Sequence, residues 1–265
     1  RNREKIIDQH KHLPKKYKSK IIEFDLTMAR SALIEDNTFY QYTEADYRGR
    51  LYYTTPFLNF QSNDIARGQM LFANGKLMTE EGLRRLKIHI ASCYNQTYHR
   101  DELPNWITAD YLSYLKDEGL DDISVDKMTL VDREAWTDNN IDMLMSIAAE
   151  ERIELAAEKP ITLLACVLEI YNAINSEGEY YTYLPIPVDG SNNGWQHLCA
   201  MSKDKEAGEL VGVVPQEIQK DFYVQCAKNL ITRLPEWFDE RQMPMKHIRK
   251  GIAKRGSMTR AYSAG

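Results

Sequence analysis

The 265-residue sequence has no unbroken apolar run of about 18 residues, so no segment of it is built to span a membrane as a helix. It has no Cys-x-x-Cys pair. Its four cysteines, Cys93, Cys166, Cys199 and Cys226, are scattered, which argues against a disulfide framework or a zinc site and predicts reduced thiols in a cytoplasm-like compartment. His10, His12, His99 and His247 show no metal-ligand spacing, and His197 in "WQHL" reads as structural. No charged-then-apolar signal segment opens the chain, and an arginine as first residue predicts a true start further upstream. Internal repeats and low-complexity linkers are also missing.

Acids are absent from residues 241–265, which hold seven lysines and arginines. Residues 1–20 carry eight such bases against two acids, while residues 101–159 carry sixteen acids against five bases. The formal net charge of −5 therefore hides two basic ends around an acidic middle. One charged run is usually a solvated face, but two basic ends suit a polyanionic partner such as nucleic acid.

The patterning predicts a mostly helical α+β chain. A basic helix broken before Pro14 opens it, followed by a helix over residues 25–38 and a polar turn. "RGRLYYTTPFLNF" (48–60) is aromatic and β-branched and reads as extended chain. "TEEGLRRLKIHIASCYNQ" (79–96) starts on Thr79 with acids in its first turn and sets Leu83, Leu86 and Ile90 on one face, a helix. The acidic stretch 100–135 predicts loops and short helices. Two helices separated at Pro160 come next, the second apolar nearly all round and so buried. "EYYTYLPIPV" (179–188) reads as a strand whose prolines restrict it to a sheet edge or a strand end. Further helices are predicted near 194–202, 215–233 and 246–262.

Two segments carry chemistry. In "PIPVDGSNNGWQH" (185–197) an apolar run ends on Asp189, followed by Gly190, Ser191, two asparagines and Gly194. A tight Asp-Gly turn or a helix start capped by asparagine would explain this locally. A calcium loop fits poorly, because its bidentate glutamate position is Ala200. In "KHIRKGIAKRGSMTRAYSAG" (246–265), Lys250, Lys254, Met258 and Tyr262 recur every four residues. A four-residue step on an α-helix drifts only about 40°, so these side chains form one stripe. A solvated basic helix with a partly buried edge is one reading. A nucleotide-binding face, with cations toward phosphate and Met and Tyr toward sugar and base, is the other.

Together the two segments are more specific. Asp-x4-Gly after an apolar run, followed by Lys-x3-Met-x3-Tyr, resembles motifs A and B of the single-subunit RNA polymerases of phages and mitochondria, relatives of the family A DNA polymerases. Upstream, "DYRGRLYYTTPFLNFQSNDIARGQMLFANGKLMTEEGLRRLKIH" (46–89) resembles the opening of that family's palm. The resemblance covers roughly residues 41–262. It implies part of the palm of a right-hand polymerase, a small antiparallel sheet with helices, over residues 41–217. The first part of the fingers follows over 218–265, and residues 1–40 form a basic helical segment.

The resemblance also assigns roles. Asp189, with the carbonyl of Gly190, would hold Mg2+ for a two-metal nucleotidyl transfer. Gly194 stands where the related DNA polymerases carry a glutamate that crowds the sugar, and so implies ribonucleotides; the same glycine could simply start a helix. Lys254 would neutralise the triphosphate and Tyr262 would close the site. Met258 stands where the DNA enzymes have an aromatic. The family has an arginine four residues before the lysine; here Lys250 stands there and Arg249 one position earlier, so either would bind the γ-phosphate. Tyr262-Ser263 replaces the family's Tyr-Gly. Arg48, Arg50 and Arg67 would contact the backbone of template or hybrid, with Asn63 and Asp64 buttressing that loop.

The family's second metal carboxylate sits in a His-Asp-Ser hairpin, and this sequence has no His-Asp pair. Either the chain is a fragment, or a second polymerase subunit carries the hairpin, as in the divided phage-type polymerase of enquatroviruses. The expected partners are that subunit, DNA template, RNA product and nucleoside triphosphates, with no membrane. The place of action implied for a phage-encoded chain is the cytoplasm of an infected bacterial host. A non-catalytic, polymerase-derived binding subunit and a piece of a family A DNA polymerase are the rival expectations.

Overall fold

In a computed structural model, residues 14–118, 122–188 and 192–216 are described, with positions 218, 222, 225, 226, 229 and 232 beyond them. The chain divides into two compact units, Arg1–Pro187 and Val188–Gly265. The architecture is mostly helical α+β, and its strands form three separate two-stranded antiparallel sheets among the described residues.

In the first unit, helix α1 (Lys15–Ile34) starts directly after Pro14 and runs unbroken to Ile34. The sequence predicts a second helix over 25–38, but no glycine or proline interrupts residues 15–34, so one helix takes the whole stretch. Strands β1 (Thr43–Ala45) and β2 (Leu51–Tyr53) form a hairpin, pairing Thr43 with Tyr53 and Ala45 with Leu51. The extended chain predicted over 48–60 shrinks to these three residues of β2. Pro56 has no N–H to donate and Phe57 sits at φ 69°, so the backbone turns there.

Helix α2 (Asp64–Gly68) is capped by Asn63, whose side chain accepts from the Ala66 N–H at 3.1 Å. A short strand β3 (Lys76–Leu77) precedes α3 (Glu80–Tyr94). Thr79 caps α3 by accepting from the Gly82 N–H at 3.1 Å, Glu80 and Glu81 favour its positive end, and Asn95 at φ 54° ends it. Strand β4 (Thr97–His99) pairs with β5 (Asp122–Ser124), with α4 (Ala109–Glu118) between them in the chain. Helices α5 (Leu130–Asn139), α6 (Ile141–Ala149) and α7 (Pro160–Asn175) follow. Pro160 takes the first helical position of α7, where a missing N–H costs nothing.

The core lies where α3 packs against α5 and α7, with α6 against α7. Leu86, Ile90, Trp136, Leu144, Ile147, Leu163, Val167 and Ile170 are essentially unexposed there. The buried indole N–H of Trp136 donates to Gln96 Oε1 at 3.2 Å and to the Tyr98 hydroxyl at 3.1 Å. Ion pairs from Arg84 to Glu134 (2.8 Å) and Lys87 to Asp138 (2.6 Å) close the rim between α3 and α5.

The last strand of this unit, β6 (Tyr181–Thr182), pairs with β3, Lys76 opposite Thr182 and Leu77 opposite Tyr181. The sequence predicts a strand through Val188. It stops early because Pro185 and Pro187 lack the donors a ladder needs, and Val188 is 94% exposed rather than buried. The second unit holds α8 (Asn193–Ser202) and α9 (Lys205–Leu210), a helix the sequence pattern does not predict. Gln196 Nε2 donates to the Val211 carbonyl at 2.8 Å, and the rings of Trp195 and Phe222 lie 5.9 Å apart. Among the described residues no helix is long and apolar enough to cross a membrane.

Candidate functional site

The turn of the β1–β2 hairpin is organised by one carboxylate. Asp46 Oδ1 accepts from the backbone N–H groups of Arg48 and Arg50, each at 2.9 Å, and Oδ2 accepts from Arg48 Nε at 3.0 Å. The Arg50 N–H first of all, and then the Arg48 contacts, hold the Asp46 carboxyl below the usual range despite some desolvation. Gly49 adopts φ 76°, a left-handed conformation that a side chain would strain. The Arg48 guanidinium also lies 5.3 Å from the centre of the Tyr47 ring. Geometry therefore separates two residues that the sequence treats alike. Arg48 is engaged by Asp46, whereas Arg50 is exposed and has no carboxylate partner among the described residues.

Arg67 stands in the last turn of α2. Its Nε is buried without an acceptor, and no carboxylate among the described residues pairs with it. The helix that carries it is tied to its neighbours by hydrogen bonds. Asp64 accepts from the Ile161 N–H at 2.8 Å, the Thr162 N–H at 3.1 Å and the Thr162 hydroxyl at 2.5 Å, so it caps α7 from another helix. Asn63 donates to Glu23 Oε1 on α1 at 2.9 Å. A Cβ at Gly68 would lie 2.8 Å from the Ile161 carbonyl carbon, which allows α2 to sit directly on α7. The predicted buttressing role of Asn63 and Asp64 thus has definite partners.

In the second unit, Gly194 lies in the first turn of α8. A Cβ added there would meet nothing within 4 Å, and Gly194 is not among the glycines at positive φ. Neither backbone conformation nor crowding by the described residues requires glycine at this position. Asp189, Gly190, Arg249, Lys250, Lys254, Met258 and Tyr262 lie outside the described residues.

The fold also assembles a group that the sequence spacing hides. His89 and Cys93, one turn apart on α3, meet Cys166 of α7, and all three are buried. Cys93 Sγ lies 3.5 Å from His89 Nε2. Hydrogen bonding from Cys166, aided by His89 and opposed by burial, pulls the Cys93 thiol down; hydrogen bonding to Cys93 together with burial pushes Cys166 up. The available signal was the His-x3-Cys spacing on a predicted helix, but Cys166 is 73 residues further along and only the tertiary fold brings it in.

The family model described as DNA-dependent RNA polymerase matches residues 76–265. A mitochondrial DNA-directed RNA polymerase of Neurospora crassa is 31% identical over 251 residues, covering 91% of this chain and 16% of that protein. DNA-directed RNA polymerase 1, mitochondrial, of Arabidopsis thaliana is 28% identical over 257 residues, 91% of this chain and 24% of its own length. DNA-directed RNA polymerase 1B, mitochondrial, of Nicotiana tabacum is 31% identical over 217 residues, 79% of this chain and 19% of that protein. The chain thus spans less than a quarter of the length of these relatives.

Proposed function

The chain belongs to the DNA-dependent RNA polymerase family, and on that premise we propose that it supplies part of the palm and the first part of the fingers of a right-hand polymerase catalysing template-directed ribonucleotide addition. The observation that carries this reading is the family match from residue 76 to residue 265, a span that includes Asp189, Gly190, Gly194, Lys254, Met258 and Tyr262, the residues that the motif resemblance assigns to the site. The absence of any packing demand for glycine at position 194 among the described residues supports it further, since a role beside a ribose would explain a missing side chain that those residues do not.

The donors at the end of the segment through Val188 are one carboxylate, Asp189, and one backbone carbonyl, Gly190. These are the hard oxygen groups that magnesium takes, few enough to leave positions for water and triphosphate oxygens. Bound there, magnesium would supply neutralisation of charge on the reacting phosphoryl oxygens. Lys254 holds the triphosphate and offsets charge on the departing pyrophosphate, and Lys250 or Arg249 takes its terminal phosphate. Tyr262 and Met258 line the sugar and base. Arg50 and Arg67, cations without acidic partners among the described residues, position the nucleic-acid backbone, with Arg48 engaged by Asp46. One carboxylate is half of a two-metal site; in this reading a second polypeptide bearing the His-Asp-Ser hairpin completes it, a further stretch of the same polypeptide being the alternative.

Sugar choice tests the reading. Gly194→Glu is expected to lower the ribonucleotide to deoxynucleotide preference by about 10- to 100-fold, measured as the ratio of kcat/KM values. The fold should be unaffected, because the new side chain starts in open space. An unchanged sugar preference in a folded variant would remove Gly194 from the site.

A further inference from the structure

We propose that His89, Cys93 and Cys166 form a buried site for zinc(II), a thiophilic cation that clamps α3 to α7, distinct from the magnesium chemistry of nucleotide addition. The three ligand atoms lie within 4.8 Å of one another. Around a tetrahedral zinc with Zn–S of about 2.3 Å and Zn–N of about 2.0–2.1 Å, neighbouring S and N atoms stand roughly 3.6 Å apart and two sulfurs roughly 3.8 Å. The Cys93 Sγ to His89 Nε2 distance is already 3.5 Å. Only a small closing movement of Cys166 remains within the observed limit.

The donor set selects the metal. Two sulfurs and an imidazole are soft or borderline ligands that suit zinc and do not suit magnesium. Charge balances as well: on binding, two thiol protons leave to solvent, and the two thiolates neutralise the dication with neutral histidine as the third ligand. That removes the penalty of burying an unpaired charge at a place where Cys93 and Cys166 are 0% exposed and His89 is 9% exposed. The spacing is mechanical too. His89 and Cys93 are one turn apart on α3, and Glu169 follows Cys166 by one turn on α7. Glu169 Oε1 is buried without a hydrogen-bond partner among the described residues, but it lies outside the three-atom group, which leaves the fourth position to a small exogenous ligand. The two helices so joined are the ones on which the core rests.

The test is cobalt(II) titration of tag-free full-length protein stripped with chelator under reducing conditions. The expected result is uptake of one equivalent, with a thiolate-to-cobalt charge-transfer band and the intense visible bands of a tetrahedral ion, bleached when zinc displaces cobalt. Cys93→Ser and Cys166→Ser should each weaken the charge-transfer band, and Cys226→Ser should leave it unchanged. Zinc should raise the Tm of the wild-type protein but not of the Cys93→Ser/Cys166→Ser double variant. Absence of the charge-transfer band in folded wild-type protein would overturn the site, and that result is decisive even where a variant fails to fold. A band that survives the double substitution would overturn it equally. These readouts need no polymerase activity, so they stand or fall apart from the proposed function.

Discussion

Asp189→Ala is expected to abolish nucleotide addition while leaving template affinity within a factor of a few of the wild type. The alanine side chain offers no oxygen, so the proposed metal site loses the carboxylate that Asp189 would give it. A fall of about 1,000-fold or more in the rate of addition is expected, equivalent to about 4 kcal/mol of transition-state stabilisation. Binding should persist because the cations assigned to the nucleic-acid backbone, Arg50 and Arg67, belong to the other compact unit of the chain. Primer extension and fluorescence anisotropy on the same template separate the two quantities. Asp189→Glu should sit between wild type and alanine, since it keeps the charge but moves the oxygens by one methylene. Normal synthesis by the alanine variant would end the metal assignment.

Asp64→Ala should produce the largest loss of stability. Its carboxylate accepts three hydrogen bonds at the start of α7, from the Ile161 N–H, the Thr162 N–H and the Thr162 hydroxyl. Pro160 brings no N–H of its own, so Asp64 serves the first two backbone donors that α7 possesses. Removing it strands those part-buried donors and deletes favourable negative charge at a helix N-terminus. A cost of about 2–4 kcal/mol follows, which lowers Tm by roughly 5–15 °C for a chain of this size. Asp64→Asn should recover little, because its amide would set a donor against the Ile161 N–H. Since α2 also carries Arg67, template affinity should fall with stability. A Tm unchanged by the alanine substitution would show that Asp64 does not hold α2 to α7.

Local chemistry was legible in the sequence where local physics decides it. Thr79 and the two glutamates after it mark the start of α3, and Pro160 marks the start of α7. The α+β class, rich in helix, followed from such signals. What depended on partners far away did not. Asp64 finds its hydrogen-bond donors 97 and 98 residues downstream, so a buttress could be expected but its target could not. The strand through 179–188 failed because its partner β3 offers only two residues, and the prolines beyond cannot extend the pairing. Arg48 and Arg50 look equivalent in "DYRGR", yet the Asp46 carboxylate engages one guanidinium and only the backbone N–H of the other. The meeting of His89, Cys93 and Cys166 was hidden for the same reason, because cysteine spacing along a chain says nothing about helices that cross in space. The Asp189 and Lys254 assignments rest on motif order and the family match.

The most direct test of the central claim is magnesium-dependent ribonucleotide incorporation on a primed single-stranded template. This chain alone would be compared with the complex purified from its native source, and every co-purifying polypeptide identified by mass. The account predicts activity only in the complex, with the partner supplying the His-Asp-Ser carboxylate. Incorporation by the 265-residue chain alone would contradict it, because a second metal ligand would then have to lie within this sequence.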